Sequence, residues 1–172
     1  MSRPVSIAAL LSLVCLPLSQ AAGAAPLQAA PKAKAALAMV HPLTLVRLAD
    51  MDFAMLGVTT GGTATIDPVT GTMSVSGGLQ HLSGAPSPAR YAGAALKQTV
   101  VNIRIPNQPI LLRRVGGTET LSVGNFTLDG QNKRTLAQQT SFNFAVGAQI
   151  SVPAGTIDGI YLGDLDVTVQ YP

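Results

Sequence analysis

The sequence predicts an all-β domain, an antiparallel β-sandwich with an immunoglobulin-like arrangement. Three observations carry this expectation. Apolar and polar residues alternate in several stretches, most cleanly where Leu165, Val167, Val169 and Tyr171 interleave with Asp164, Asp166, Thr168 and Gln170. A period of two puts the apolar set on one face of a strand and the polar set on the other. About eight or nine such short stretches follow one another, separated by Gly, Pro and Asp turns, which is the spacing of a sandwich. No helix-period segment of useful length appears beyond the N-terminal apolar run, and the chain is low in charge and has no Trp. A small closed barrel is the structural alternative.

Residues 1–24 read as an export signal. Arg3 supplies the positive start, and Val5 to Leu18 is an apolar core broken only by Ser6, Ser12 and Pro17. The stretch from Ser19 through Ala25 is mostly small, and cleavage after Ala21, Ala22 or Ala24 fits it. At about 14 residues the apolar run is too short to favour a spanning helix. Val14 precedes Cys15 where a lipoprotein signal wants a small residue, so Cys15 reads as part of the removed core. The exported chain then has no cysteine and must be held together by its core alone. Removal of Arg3 leaves ten basic residues against eight acidic ones. The basic residues are scattered and no aromatic residues interleave with them, so nucleic-acid binding has little support.

Residues 25–40 form an Ala-rich extension with Pro26, Pro31, Lys32 and Lys34. It reads as a flexible linker, or alternatively as a segment that pairs with a partner. The single domain covers residues 41–172. Leu43, Leu45 and Arg47 alternate with Thr44, Val46 and Leu48, so apolar groups fall on both faces. Thr63 to Ile66 is a short strand. Asp67-Pro68-Val69-Thr70-Gly71 is a turn, in which Pro fixes φ, Asp bonds the backbone and Gly tolerates positive φ. Thr72 to Ser76 returns as the second arm of a hairpin, and Gly77 to Pro88 reads as loop.

Gln98 to Ile105 is a strand with Thr99, Val101, Ile103 and Ile105 on one face, ended by Pro106-Asn107-Gln108-Pro109. Ile110 to Val115 is a short strand turned by Gly116-Gly117. Thr118 to Leu128 follows, with a parity shift at Gly124-Asn125 that predicts a bulge. Asp129-Gly130 is a hairpin signal. Phe142, Phe144, Val146, Ala148, Ile150 and Val152 form a long alternating run, with Gly147 as a bend or bulge inside it. Pro153-Ala154-Gly155 turns the chain towards the final strand, which runs to the C-terminus.

Chemistry-bearing patterns are scarce. His41 and His81 have no partners at metal-ligand spacing. No Gly-x-Ser-x-Gly elbow and no phosphate-binding Gly-Lys-Ser/Thr motif is present. Asp50 and Asp52, and likewise Asp164 and Asp166, lie two apart and share a face if extended. Such pairs can bind calcium or exchange protons, but neither sits in a ligand-dense loop. A solvated strand face that discourages aggregation is the simpler reading. No catalytic residue, metal or cofactor is expected.

Four landmarks occur in order: Leu43-Thr44-Leu45 with Ala49-Asp50-Met51-Asp52-Phe53; Ile66-Asp67-Pro68-Val69-Thr70-Gly71; Phe142-Asn143-Phe144 leading to Ile150-Ser151-Val152-Pro153; and Gly159 with Val167-Thr168-Val169-Gln170-Tyr171. Together they resemble the bacterial secreted family catalogued as domain of unknown function 4402. That family often has Gly after the Asp-Phe pair, where this chain has Ala54, and the segment from Gly77 to Lys97 is less typical of it. The family name implies no activity.

The C-terminus is also similar to that of fimbrial (pilin) subunits assembled by periplasmic chaperones. Those end in a strand with a penultimate Tyr, alternating apolar residues before it, and a Gly fourteen places from the end; Tyr171, Val169, Val167, Leu165 and Gly159 occupy those positions. The resemblance implies a pilin-like sandwich that lacks one strand. A chaperone, and then the N-terminal extension of a neighbouring subunit, supplies that strand by addition to the sheet. Two departures stand against it: the exported chain has no disulfide, and residues 22–38 offer mostly Ala as a donor. The alternative is that Leu165 to Tyr171 is the last core strand of a complete sandwich.

The expectation is therefore an exported, non-enzymatic structural or adhesive protein of the periplasm, cell surface or fimbrium. Its partners are a periplasmic chaperone or neighbouring subunits, with no nucleic acid and no stable membrane insertion after signal cleavage. The competing expectation is a self-contained secreted or periplasmic binding domain with its ligand in the Gly77 to Lys97 region. A hydrolase with a site assembled from distant loops is a remote third.

Overall fold

The computed structural model describes residue 37 and residues 42–172. The signal, the extension apart from Leu37, Cys15 and His41 lie outside the described residues. Eleven strands and no helix occur among those described. In order they are β1 (Thr44–Ala49), β2 (Met55–Ile66), β3 (Met73–Ser83), β4 (Ala89–Ala94), β5 (Thr99–Arg104), β6 (Ile110–Arg114), β7 (Thr120–Leu128), β8 (Lys133–Leu136), β9 (Ser141–Val152), β10 (Tyr161–Leu162) and β11 (Thr168–Gln170). All belong to one compact unit, Met39–Pro172.

The spine is β9. Its alternating run Phe142, Phe144, Val146, Ala148, Ile150 and Val152 is buried throughout, as a period of two requires of a face turned to the core. One edge of β9 pairs antiparallel with β7. The other edge is shared, with Ser141–Val146 pairing with β4 and Gln149–Val152 with β2. The handover falls at Gly147. A Cβ there would lie 2.2 Å from the carbonyl oxygen of Ile66 and 2.7 Å from the Pro68 ring. Only glycine permits that approach. From β9 the large sheet continues through β4 to β1 on one side and through β7 and β6 to β10 on the other. The hairpin of β2 and β3 hangs from its edge.

The second sheet is small, in the order β11-β5-β8. It faces the large one across a shared core: Ala89 and Tyr91 of β4 and Phe142, Phe144 and Val146 of β9 meet Val101 and Ile103 of β5 and Leu136 of β8. That makes the fold an all-β antiparallel sandwich, as expected. Tyr91 and Phe144 stack with ring centroids 5.2 Å apart, and Phe142 extends the stack at 6.3 Å. Gly93 pairs with Phe142, and a Cβ there would lie 2.3 Å from the ring that covers it. Each fully buried Val, Ile or Phe contributes about 1.5–3 kcal/mol. A second core gathers Ala64, Leu79, Leu121, Val123, Ala148, Ile150 and Val152, all from the large sheet. The twisted sheet curls over its own apolar face to enclose them.

Several expectations are corrected. Gly77 to Pro88 is not all loop, because β3 runs on to Ser83 and buries Leu79. Gly77 has φ +71° beside a register shift between Val58 and Gly62. The glycine pair therefore marks a bulge within a strand rather than its end. β4 went unrecognised, since Ala89, Gly93 and Ala94 give a weak apolar signal. Asp129-Gly130 closes no hairpin: β7 lies in the large sheet, while the β8 that follows pairs with β5 in the small one. After Pro153 the chain makes two short strands, β10 on β6 and β11 on β5. Regular pairing of the last strand covers Thr168–Gln170 and stops short of Tyr171 and Pro172.

Candidate partner-binding edge

The terminal alternation is realised as read. Leu165, Val167, Val169 and Tyr171 are half-buried and all pack on the first core, whereas Asp164, Asp166, Thr168 and Gln170 are exposed. Gly159 stands apart from these four. It lies at φ +155°, and a Cβ there would sit 2.8 Å from Nε of Arg114 on β6. The structure thus groups four of the five predicted residues and leaves Gly159 at the edge of the other sheet.

Among the described residues β11 pairs only with β5 and is an end strand of its sheet. Its register sets Thr168, Val169 and Gln170 against Arg104, Ile103 and Asn102. The Ile103 amide donates to the Asn132 carbonyl at 2.7 Å, away from β11. Antiparallel strands turn successive residues to opposite sides. Asn102 and Arg104 therefore point their main-chain groups at β11 and engage Gln170 and Thr168. By the same alternation the N–H and C=O of Val169 point away from β5, to the side where no described strand pairs. One residue thus offers a half-buried apolar side chain inward and main-chain groups sideways.

Among the described residues β1 is the end strand of the large sheet, paired only with β4. Leu43 and Leu45 also pack on the first core and are also half-buried. The two end strands lie on the same side of the sandwich. Burial raises the pKa of the Tyr91 phenol on β4; Arg47 opposes the rise, and Asp50 and Asp166 add to it. Asp50, just past β1, and Asp166, just before β11, thus act on the same hydroxyl. The Leu96 amide, just past β4, donates to the Tyr171 hydroxyl at 3.4 Å. The sequence reading did not connect β1 with this edge; its signal was the alternating pair Leu43 and Leu45.

Asp164 and Asp166 are exposed, whereas Asp50, Asp52 and His81 have structural partners. Asp50 pairs with Arg47 on the surface, and Asp52 Oδ1 accepts the Ala54 amide at 2.7 Å. His81 is exposed, with Nε2 3.1 Å from the Gly84 carbonyl oxygen. Among the described residues no group of three or more His, Cys, Asp or Glu converges as a metal site. Two open depressions of about 450 and 440 Å³ lie along β8 and the end of β5, and neither is lined by β11. No described helix is long and apolar enough to cross a membrane.

The model of the family described as Domain of unknown function (DUF4402) matches residues 43–171. No curated protein and no solved structure matches the chain.

Proposed function

The chain belongs to the family of Domain of unknown function (DUF4402), and from that premise we propose that it is an exported, non-enzymatic structural or adhesive protein of the bacterial envelope, a pilin-like subunit that works by β-strand complementation. The observation that carries the reading is the pair of end strands, β1 and β11, on one side of the sandwich. Leu43, Leu45, Leu165, Val167, Val169 and Tyr171 are half-buried there, against core residues that are buried. A strand entering this side buries their remaining apolar surface and pairs with Val169. Such addition takes affinity from main-chain bonds and specificity from alternate side chains. The partner is a periplasmic chaperone or a neighbouring subunit, and the site of action is the periplasm, cell surface or fimbrium.

The test is to refold the exported chain without partners and follow its thermal unfolding. The reading expects a broad, low transition that sharpens when a complementing strand is supplied. A single sharp transition with no added strand overturns it and favours a self-contained secreted or periplasmic binding domain.

A further inference from the structure

The small sheet has a second end strand. Among the described residues β8 pairs only with β5. The Ile103 amide of β5 donates to the Asn132 carbonyl, and Val101 and Thr99 pair with Arg134 and Leu136. Successive residues turn to opposite sides, so the main-chain groups of Lys133 and Thr135 face away from β5. The open depression of about 450 Å³ lies here, between β8 and the start of β9, and no residue of β5 lines it. Its floor is apolar, made by Leu136 and Phe142, which line it and are buried. Its rim is polar. Gln131 before β8, Thr135 on it, Gln139 after it and Asn143 on β9 are exposed, and among the described residues their side chains make no hydrogen bond. Two cations also line the depression, and they differ. Arg134 is held in place: Nη2 donates to Asp129 at 2.6 Å and Nε to the Gln131 carbonyl at 2.8 Å. Asp129 thus balances its charge. Lys133 is exposed and makes no ion pair among the described residues. No acidic side chain lines the depression.

We infer that this depression binds an acidic saccharide, a sugar ring that carries a carboxylate. Its volume lies within the span of small-ligand sites, about 300–1,000 Å³. Amide side chains and a Thr hydroxyl both donate and accept, as sugar hydroxyls do. Three amides and one hydroxyl around a single apolar floor therefore match a ring with several hydroxyls on its rim and C–H groups on its face. The one unbalanced charge is the Lys133 ammonium, which matches a carboxylate, and with no acid in the lining an anion meets no repulsion. An extended acidic peptide is the other ligand that a free strand edge admits. Against it, β8 is only four residues long and has a Lys at its open edge, the features that deter strand addition. β8 and β11 are opposite ends of the small sheet, so a strand added at β11 leaves the depression open. The inference extends the adhesive part of the proposed function and does not depend on strand complementation.

Titration of the isotopically labelled exported chain, followed by NMR, tests this, with circular dichroism as the check on folding of each variant. The probes are a galacturonate trisaccharide, the neutral galactose trisaccharide and triglutamate, each to millimolar concentration. The acidic trisaccharide is expected to give saturable shifts of the backbone amides of Gln131, Lys133, Thr135, Gln139 and Asn143, and the other two probes to bind about tenfold more weakly or worse. Lys133→Glu is expected to weaken the acidic trisaccharide about tenfold or more and to leave the neutral one unchanged. Gln139→Ala combined with Asn143→Ala is expected to weaken both. Arg113→Glu, the same change of charge on β6, is expected to alter neither. Absence of saturable shifts overturns the inference, as do shifts centred elsewhere, indifference to Lys133→Glu, or an equal loss with Arg113→Glu. So does triglutamate that binds as tightly as the acidic trisaccharide, which would make the depression a peptide site. Failure of strand complementation reads differently, as a sharp unfolding transition in a chain that still binds the acidic trisaccharide.

Discussion

Ala54 sits at φ +57°, where an ordinary side chain costs about 1–2 kcal/mol. The Asp52 carboxylate holds the amide of this strained residue at 2.7 Å. Glycine removes the steric cost at some expense in chain entropy. Ala54→Gly is therefore expected to stabilise the domain by about 0.5–1 kcal/mol, read from the urea midpoint; a lower midpoint contradicts the assignment of strain. Asp67 shows the opposite case of a turn residue at ease. Its carboxylate accepts the amides of Thr70 and Val69 at 2.8 Å, which lower its pKa. A lowered folded pKa stabilises above the unfolded value, about 3.9, and the gain is lost as pH falls through the folded one. Asp67→Ala should thus lower the melting temperature at pH 7, and the difference from the parent should shrink below about pH 4. An equal deficit at all pH values would mean that the charge plays no part. Both residues were visible in the sequence, Asp67 as turn chemistry and Ala54 as a departure from glycine. The positive φ that gives Ala54 its meaning depends on how the chain enters β2, which no local pattern records.

At the scale of elements, the strands with large alternating side chains were legible and those built from small ones were not. β5 and β9 follow the reading because Val101, Ile103, Phe142 and Phe144 fill the core themselves. β4 was missed because part of its contribution is to make room: Gly93 leaves space for the Phe142 ring. The Gly77-Gly78 pair misled because glycine marks both turns and bulges, and the pairing with β2 decides between them. Asp129-Gly130 misled because a turn fixes only a local reversal, whereas the choice of sheet depends on whether Leu136 finds the first core. Gly147 was legible as an irregularity, and its cause is the close approach of Ile66 and Pro68. Gly147→Ala is expected to cost about 2–4 kcal/mol of stability, since Ile66 ends β2 directly after the Gly62–Thr65 stretch paired with β9 and is itself paired with Met73, so its carbonyl has little room to retreat. A loss below about 0.5 kcal/mol in chemical denaturation would show that the handover can relax.

For the molecule as a whole, the candidate site was half legible. The C-terminal alternation identified Leu165, Val167, Val169 and Tyr171, because period-two burial is a local property. That β1 brings Leu43 and Leu45 to the same side was not legible, since it follows from the order of strands in two sheets. Gly159 lies apart from the terminal strand, beside Arg114 on β6. In the proposed reading the two end strands, whose half-buried side chains pack on the first core, accept another strand. The added strand must bury enough apolar surface to offset its own ordering, about 1–2 kcal/mol for each residue's backbone. The half-exposed residues of β1 and β11 are the surface available for that.

The most direct measurement is hydrogen exchange at single backbone amides of β11, by NMR, in the chain refolded alone and in the chain recovered from the bacterial envelope. Thr168 and Gln170 face β5 and serve as internal references. In the lone chain the Val169 amide should exchange far faster than that of Gln170, and in the assembled chain it should slow to the same level. Equal protection of Val169 and Gln170 in the lone chain would contradict the account, as would a Val169 amide that stays unprotected after assembly.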